Sequence, residues 1–411
     1  MEKGLLEGWE IIPISEVYDV NPAHKGVSID DDCDVSFIPM AAIEAESGKI
    51  NTSEIRKYKQ VKSGFTRFLE GDVIMAKITP CMENGKIAVA KNLKNGIGCG
   101  TTELHVFRKI EKGETNYLYY FLIQKSLRDL ASREFQGAVG QQRVPTSFFT
   151  KVKIPLPPLP EQHRIVAKLD AVLAKVDSAR ERMERLPGIL QRFRQSVLAQ
   201  AVSGKLTDKP FSIVKAVEVC EKIQIGPFGS LLHKSDYISG GIPLINPSHI
   251  QNGEIVISDD FTVSNKKFAD LSNYHLRKGD IVMGRRGEMA RCGLISDKEN
   301  GWLCGTGSLF FRPNIERVNP SYLYWVLSSS QTKNFLESNA KGSTMQNLNQ
   351  KIVGDIPIPL PPLPEQQEIV RRVQSLFAVA DRLEARYEAL REKVEGLPQA
   401  LLAKAFRGEL V

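Results

Sequence analysis

The chain has 411 residues, 42% of them hydrophobic and 25% charged, with a formal net charge of +7 and a pI near 8.9. That length is too great for one ordinary core and calls for two or more domains, while the composition excludes a disordered chain. The charge excess is mild, so it permits an acidic partner such as nucleic acid without requiring one. The six cysteines (Cys33, Cys81, Cys99, Cys220, Cys292 and Cys304) form no C-x-x-C pair and lie near no suitably spaced His. This pattern predicts no metal site and reduced thiols. The opening Met1-Glu2-Lys3-Gly4 has no apolar leader core, and no run reaches membrane-spanning length, so we expect a cytoplasmic chain without membrane contact.

In chain order, residues 1–152 read as a first globular domain of mixed strand and helix. Short apolar runs at Phe37–Met40, Asp72–Ala76, Lys86–Ala90 and Glu103–Phe107, bounded by Gly, Asn and Asp, predict strands. A helix is predicted over Tyr117–Leu130, with Glu114-Thr115-Asn116 as its cap. Residues 153–206 form a first arm opened by Pro157-Pro158-Leu159-Pro160-Glu161-Gln162. Residues 207–355 repeat the first domain loosely: Gly71-Asp72-Val73-Ile74-Met75 is echoed by Gly279-Asp280-Ile281-Val282-Met283, and Cys99-Gly100-Thr101 by Cys304-Gly305-Thr306. Residues 356–411 form a second arm opened by Pro361-Pro362-Leu363-Pro364-Glu365-Gln366, offset from the first by 204 residues without a gap. Such a register marks an internal duplication.

Each arm carries a heptad seam. Ile165, Leu169, Val172, Val176, Ala179, Met183 and Leu186 are spaced 4,3,4,3,4,3, and Ile369, Val373, Leu376, Ala380, Leu383, Tyr387 and Leu390 follow the same rule. Two matched seams in one chain predict an intramolecular coiled coil, the alternative being that each helix simply covers its own domain. Pro187 and Pro398 should each end or kink an arm. The arms differ in charge: residues 161–206 hold nine Lys/Arg against five Asp/Glu, and residues 365–411 eight against eight.

No catalytic motif is evident. Asn21-Pro22-Ala23-His24 and Asn246-Pro247-Ser248-His249 lack the second proline and aromatic ring of an amino-group methyltransferase, and turns are the simpler reading. No G-x-x-x-x-G-K-[ST], H-E-x-x-H or G-x-S-x-G string is present. Candidate DNA contacts lie in loops instead. They are Lys77 and Thr79; Gln141, Gln142 and Arg143; Gln224 and Ser230; Arg285, Arg286 and Arg291; and Lys341, Ser343, Thr344, Gln346 and Asn347. Arg can grip guanine or phosphate in bidentate fashion, and Gln or Asn can pair with adenine edges. A solvated loop remains the alternative for each.

The paired Pro-Leu-Pro-Pro-Leu-Pro-Glu-Gln segments (Pro155–Gln162 and Pro359–Gln366), each launching a heptad helix, together with Ala403-Lys404-Ala405-Phe406-Arg407-Gly408-Glu409-Leu410, resemble the specificity subunit of Type I restriction-modification systems over nearly the whole chain. The first arm departs from that ending with Ala201-Val202-Ser203-Gly204-Lys205-Leu206. The resemblance implies a mixed α/β fold: two strand-rich target recognition domains separated by two long helices that form an antiparallel coiled coil, with an internal pseudo-twofold repeat. It also implies a non-catalytic subunit that reads a bipartite asymmetric target on double-stranded DNA. The implied partners are two modification (methyltransferase) subunits and restriction (motor and nuclease) subunits. S-adenosylmethionine, ATP and Mg would belong to those partners, with no cofactor in this chain. A stand-alone bipartite DNA-binding regulator is the competing reading, and an enzyme in its own right is disfavoured by the missing motifs.

Overall fold

A computed structural model describes residues 7–23, 29–138, 140–204, 211–251, 253–257, 260–285, 289–339 and 348–410. The chain divides into two compact units, residues 1–184 with 389–411, and residues 185–388.

In the first unit, an antiparallel sheet has the strand order Tyr18–Val20, Leu104–Lys109, Val73–Ala76, Ile87–Val89. A second sheet runs Ile55–Lys57, Asp34–Ile38, Ile97–Gly100, Thr66–Leu69, its central pair parallel. Val73–Ala76 is buried at every position, which is why it reads as an unbroken apolar run and not as an alternation. The second unit repeats this plan. Its sheets run Cys220–Ile225, Ser308–Pro313, Ile281–Gly284, Cys292–Leu294, and Tyr237–Ile238, Thr262–Val263, Ile242–Ile245, Leu303–Cys304, the second again with one parallel pair, here at its edge between Ile242–Ile245 and Leu303–Cys304.

The Gly-Asp echo has a physical cause. Gly71 and Gly279 take φ of +86° and +91°, a conformation that costs glycine little. The following Asp is buried and receives a bidentate guanidinium: Arg108 reaches Asp72 at 2.8 and 2.6 Å, and Arg312 reaches Asp280 at 2.9 and 2.7 Å. Each Asp also accepts a backbone N–H three residues upstream, from Leu69 and Arg277. A buried carboxylate survives only when paired and hydrogen-bonded in this way.

The expected helix over Tyr117–Leu130 is two helices, Thr115–Leu122 and Lys125–Ser132. The break falls at Ile123-Gln124, where the Gln124 amide turns back to donate to the Phe121 carbonyl. Glu114 caps the first of them by accepting from the Tyr117 N–H, and Asn319 does the same for Pro320–Leu327 in the second unit.

Strand Lys153–Leu156 pairs antiparallel with Glu10–Pro13, and Pro357–Leu360 with Ser212–Lys215. Each proline motif then turns into its arm around a buried glutamine. Gln162 donates to the Lys112 and Pro157 carbonyls at 3.0 and 2.9 Å and accepts from the Glu114 N–H at 3.0 Å. Gln366 repeats the set with the Arg317 and Pro361 carbonyls and the Asn319 N–H, at 3.1, 2.8 and 2.7 Å. Tyr117 and Tyr322 add hydroxyl bonds to the Pro155 and Pro359 carbonyls.

The arms are helices Leu159–Glu184, Leu186–Val202 and Leu363–Ala405. Proline acts differently in the two. Pro187 sits in the first turn of a new helix, where its missing N–H is no loss, so the first arm breaks as expected. Pro398 lies inside an unbroken helix, so it does not end that arm. Tertiary contacts hold that helix through the defect. Arg180 donates to the Glu395 carbonyl, the Gln399 side chain accepts from the Lys125 N–H at 2.8 Å, and Leu402 is buried.

Within the first unit Leu159–Glu184 runs antiparallel to the end of Leu363–Ala405. Arg180 meets Glu395 at one end, while Ile165 and Leu169 share a core cluster with Leu402, Ala405 and Phe406 at the other. In the second unit Arg194 bridges Asp381 and Glu384 at 2.6 and 2.8 Å, and Val197 and Ala201 cluster with Ile369 and Val373. Of the seam positions, Ile165, Leu169, Val176, Ile369 and Val373 are buried, and Val172, Met183, Leu186, Leu376 and Tyr387 are half-buried. Leu383 and Leu390 are 43% and 52% exposed. The first arm is interrupted at Arg185, so it offers no unbroken ladder of seam partners along its length.

Replacing Gln366 with Ala leaves the Asn319 N–H and two carbonyls without their partner. Urea unfolding should show the chain destabilised by about 1–3 kcal/mol. The exposed neighbour Gln367→Ala should leave the midpoint unchanged.

Candidate nucleic-acid interface

In the first unit, the polar candidates gather at one end of the Tyr18–Val20/Leu104–Lys109/Val73–Ala76 sheet. Lys77 leaves the strand Val73–Ala76, its N–H bonded to the Glu103 carbonyl and its carbonyl to the Val144 N–H, both at 2.9 Å. Two residues on, the Thr79 N–H donates to the Gln142 carbonyl at 2.9 Å, and the Thr79 hydroxyl to Glu83 at 2.7 Å. The loop after Ala76 and the loop before the proline motif are therefore one laced platform carrying Lys77, Thr79, Gln141, Gln142 and Arg143.

Arg143 is not simply a solvated reader. Its guanidinium forms a fork on Glu103, with Nε and Nη2 each 2.8 Å from a carboxylate oxygen, and a third bond reaches the Gln141 carbonyl at 2.6 Å. The Glu103 carboxyl is held below its ordinary range, chiefly by that Arg143 bond. Gln141 is exposed and Gln142 half-buried, so within this loop Arg143 orients and the glutamines are presented.

Sequence reading missed what holds the platform from beneath. Buried His105 bonds the Val144 carbonyl through Nε2 at 2.9 Å, and Asn21 donates to its Nδ1 at 3.1 Å. That pairing fixes the tautomer with hydrogen on Nε2. Asn21, in left-handed backbone at φ +55°, also reaches the Thr146 hydroxyl and the Val106 N–H. The only sequence signal for it was Asn21-Pro22, which reads as a turn. Burial pushes the His105 pKa down to about 4.

The second unit repeats the lacing with different side chains. The Arg285 N–H donates to the Gly307 carbonyl at 2.9 Å, and its guanidinium Nε to the Leu348 carbonyl at 3.0 Å. Arg291 reaches the Pro247 carbonyl at 3.4 Å. Gly226 donates to the Ser308 carbonyl at 2.9 Å, and a Cβ there would lie 1.9 Å from the Gly305 carbonyl oxygen. Gly305 in turn bonds the Ile245 carbonyl and packs on Asn246. One turn, Gly305–Ser308, thus gathers the loops that begin at Gly226, Asn246 and Arg285. Gln224 is a half-buried strand residue whose amide bonds the Ile225 carbonyl, and Ser230 is exposed beyond it. Arg286, Lys341, Ser343, Thr344, Gln346 and Asn347 lie outside the described residues.

Among the described residues no group of three or more His, Cys, Asp or Glu could hold a metal. Among those residues no helix is long and apolar enough to cross a membrane.

His105 makes the first platform acid-sensitive. Its folded pKa lies below the unfolded value near 6.5, so the unfolded chain takes up a proton first as pH falls. The stability it contributes is fully present above pH 6.5 and declines as pH drops toward 4, by on the order of 3 kcal/mol in total. Urea midpoints measured across that window should fall for the native chain and fall less for His105→Gln.

A sequence profile described as Type I restriction modification DNA specificity domain matches residues 6–187 and again 210–391. The Type I restriction enzyme EcoEI specificity subunit of Escherichia coli is 30% identical, over 97% of this chain and 82% of its own length. The EcoKI specificity subunit of Escherichia coli strain K12 is 29% identical, over 99% and 90%. Among solved structures, the HsdS subunit from Thermoanaerobacter tengcongensis superposes with a TM-score of 0.71 at 22% identity, covering 100% of this chain and 99% of that one. With two such domains, each laced around its own loop platform, the chain belongs to the Type I restriction-modification specificity-subunit family, whose members are non-catalytic.

Proposed function

We propose that the chain reads a bipartite, asymmetric target on double-stranded DNA, one half-site for each recognition domain, and directs adenine methylation and restriction by partner subunits. The observation that carries this is the repetition of one framework with two sets of presented side chains. The Asp72–Arg108 and Asp280–Arg312 pairs and the Gln162 and Gln366 anchors are the same in both units. Lys77, Thr79, Gln141 and Gln142 on one platform answer to Arg285 and Arg291 on the other. Identical frameworks with unlike loops suit unlike half-sites, which a homodimer could not read.

The functional boundaries follow the duplication: recognition domains at 1–152 and 207–355, spacer arms at 153–206 and 356–411. Two modification subunits dock on the exposed charged faces of the arms, and restriction subunits join through them. S-adenosylmethionine, ATP and Mg are used on those partners, in the cytoplasm. The alternative of a stand-alone regulator requires tight specific binding by the isolated chain.

Co-expression with the cognate modification subunit should produce adenine methylation at a single split motif in a methylome. Methylation without sequence preference, or none from an assembled complex, would refute the proposal. Within that assay Arg285→Ala should weaken recognition by about 1–3 kcal/mol and relax only the half-site of the second domain.

The arm sets the distance between half-sites. Its first helix has 26 residues and spans about 39 Å, close to the roughly 34–36 Å of one DNA turn. Inserting one heptad into both arms lengthens each by roughly 10 Å. The unread spacer of the methylated motif should change length, or methylation should cease. An unchanged spacer would show that the arms do not set it.

A further inference from the structure

The loop that follows strand Cys220–Ile225 presents two large apolar side chains to solvent. Phe228 is 62% exposed and Leu231 is 44% exposed, on the two ends of one tight turn in which the Leu231 N–H bonds the Phe228 carbonyl. Leaving a phenylalanine this bare is unfavourable by the area it exposes, so the exposure calls for a partner. The turn is also rigidly framed. Gly226 is pressed against the Gly305 carbonyl, Pro227 is buried, and Gly229 takes φ +62°.

Its place in the fold indicates the partner. The Gly305–Ser308 turn that holds Gly226 is the same turn that receives the Arg285 N–H, so the apolar tip and the Arg285 loop share one support at one end of one sheet. An apolar tip held by the same turn as an arginine suits a duplex, where the cation meets phosphate or base edges and the ring enters between stacked bases. A purely apolar protein contact would not call for the guanidinium groups. The connection after the equivalent strand of the first unit, residues 21–33, contains no Phe, Tyr or Trp.

We infer that Phe228 is a DNA wedge specific to the second domain: it inserts at a base step of that half-site, unstacks it and locks the register of Arg285. The inference rests on the DNA-reading function proposed above. It adds a contact whose specificity comes from the deformability of a step and not from hydrogen bonding.

The test uses the complex of the full chain with its modification subunit, and duplexes carrying the fluorescent adenine analogue 2-aminopurine at successive positions of the half-site assigned to the second domain. The native complex should raise fluorescence at one step. Phe228→Ala should abolish that rise and weaken specific binding on the order of 10-fold, the scale of one lost aromatic–base stack. Phe228→Leu, which keeps an apolar wedge, should retain most of both. Ile315→Ala, which removes an even more exposed apolar side chain elsewhere on the unit, should change neither. The inference is overturned if Phe228→Ala binds with native affinity and an unchanged fluorescence pattern. It is equally overturned if that variant no longer assembles with the modification subunit, since Phe228 would then be a protein contact. Failure of the native complex to methylate any defined motif would instead remove the underlying functional reading.

Discussion

The organisation of the chain depends on two buried side-chain amides. A side-chain amide buried at the root of a helix, and the backbone groups buried around it, must find partners within the protein, because water cannot reach them there. Gln162 and Gln366 meet that demand with one acceptor and two donors each, tying the motif carbonyl, the entry to the domain helix and the arm into one rigid junction. The prolines around them fix the backbone direction and remove N–H groups that would otherwise need partners. From that junction the heading of each arm is set.

The far end of each arm is equally committed. Ala405 and Phe406 lie in the core cluster of the first unit, Phe406 packing on Tyr117 and Phe121 at ring centroid distances of 4.9 and 5.3 Å. Ala201 and Val202 lie in the cluster of the second unit together with Tyr322 and Trp325. In the gapless 204 offset the counterpart of Phe406 is Val202, and each lies in the core cluster of its own unit.

The recognition loops follow a different rule. Their backbones are pinned by bonds that both units share, from the strand-end residue Lys77 or Arg285 to the pre-proline loop and to the Glu103 or Gly307 turn, while the projecting side chains differ. Separating backbone positioning from side-chain presentation lets specificity change without altering the core. Arg143 illustrates the limit of reading a loop by residue type. An arginine beside two glutamines suggests a base contact, and its guanidinium is also forked on Glu103, forty residues away in sequence, a bond that ties the loop down.

The sequence by itself determined the duplication, the helical arms and the strands of the cores, because these depend on local periodicity and on apolar runs that survive without knowledge of neighbours. It also carried the Gly-Asp and Pro-Glu-Gln motifs, though not the reason for them. Only tertiary structure decided that Pro398 would stay inside a helix, since the compensation comes from Arg180, Lys125 and the buried Leu402. Tertiary structure also decided that His105 and Asn21 would support the first loop platform, and that Phe228 would stand bare on a loop held by the same turn as Arg285. Each of these depends on groups brought together from distant parts of the chain, and burial, pairing and exposure are properties of that assembly and not of the local sequence.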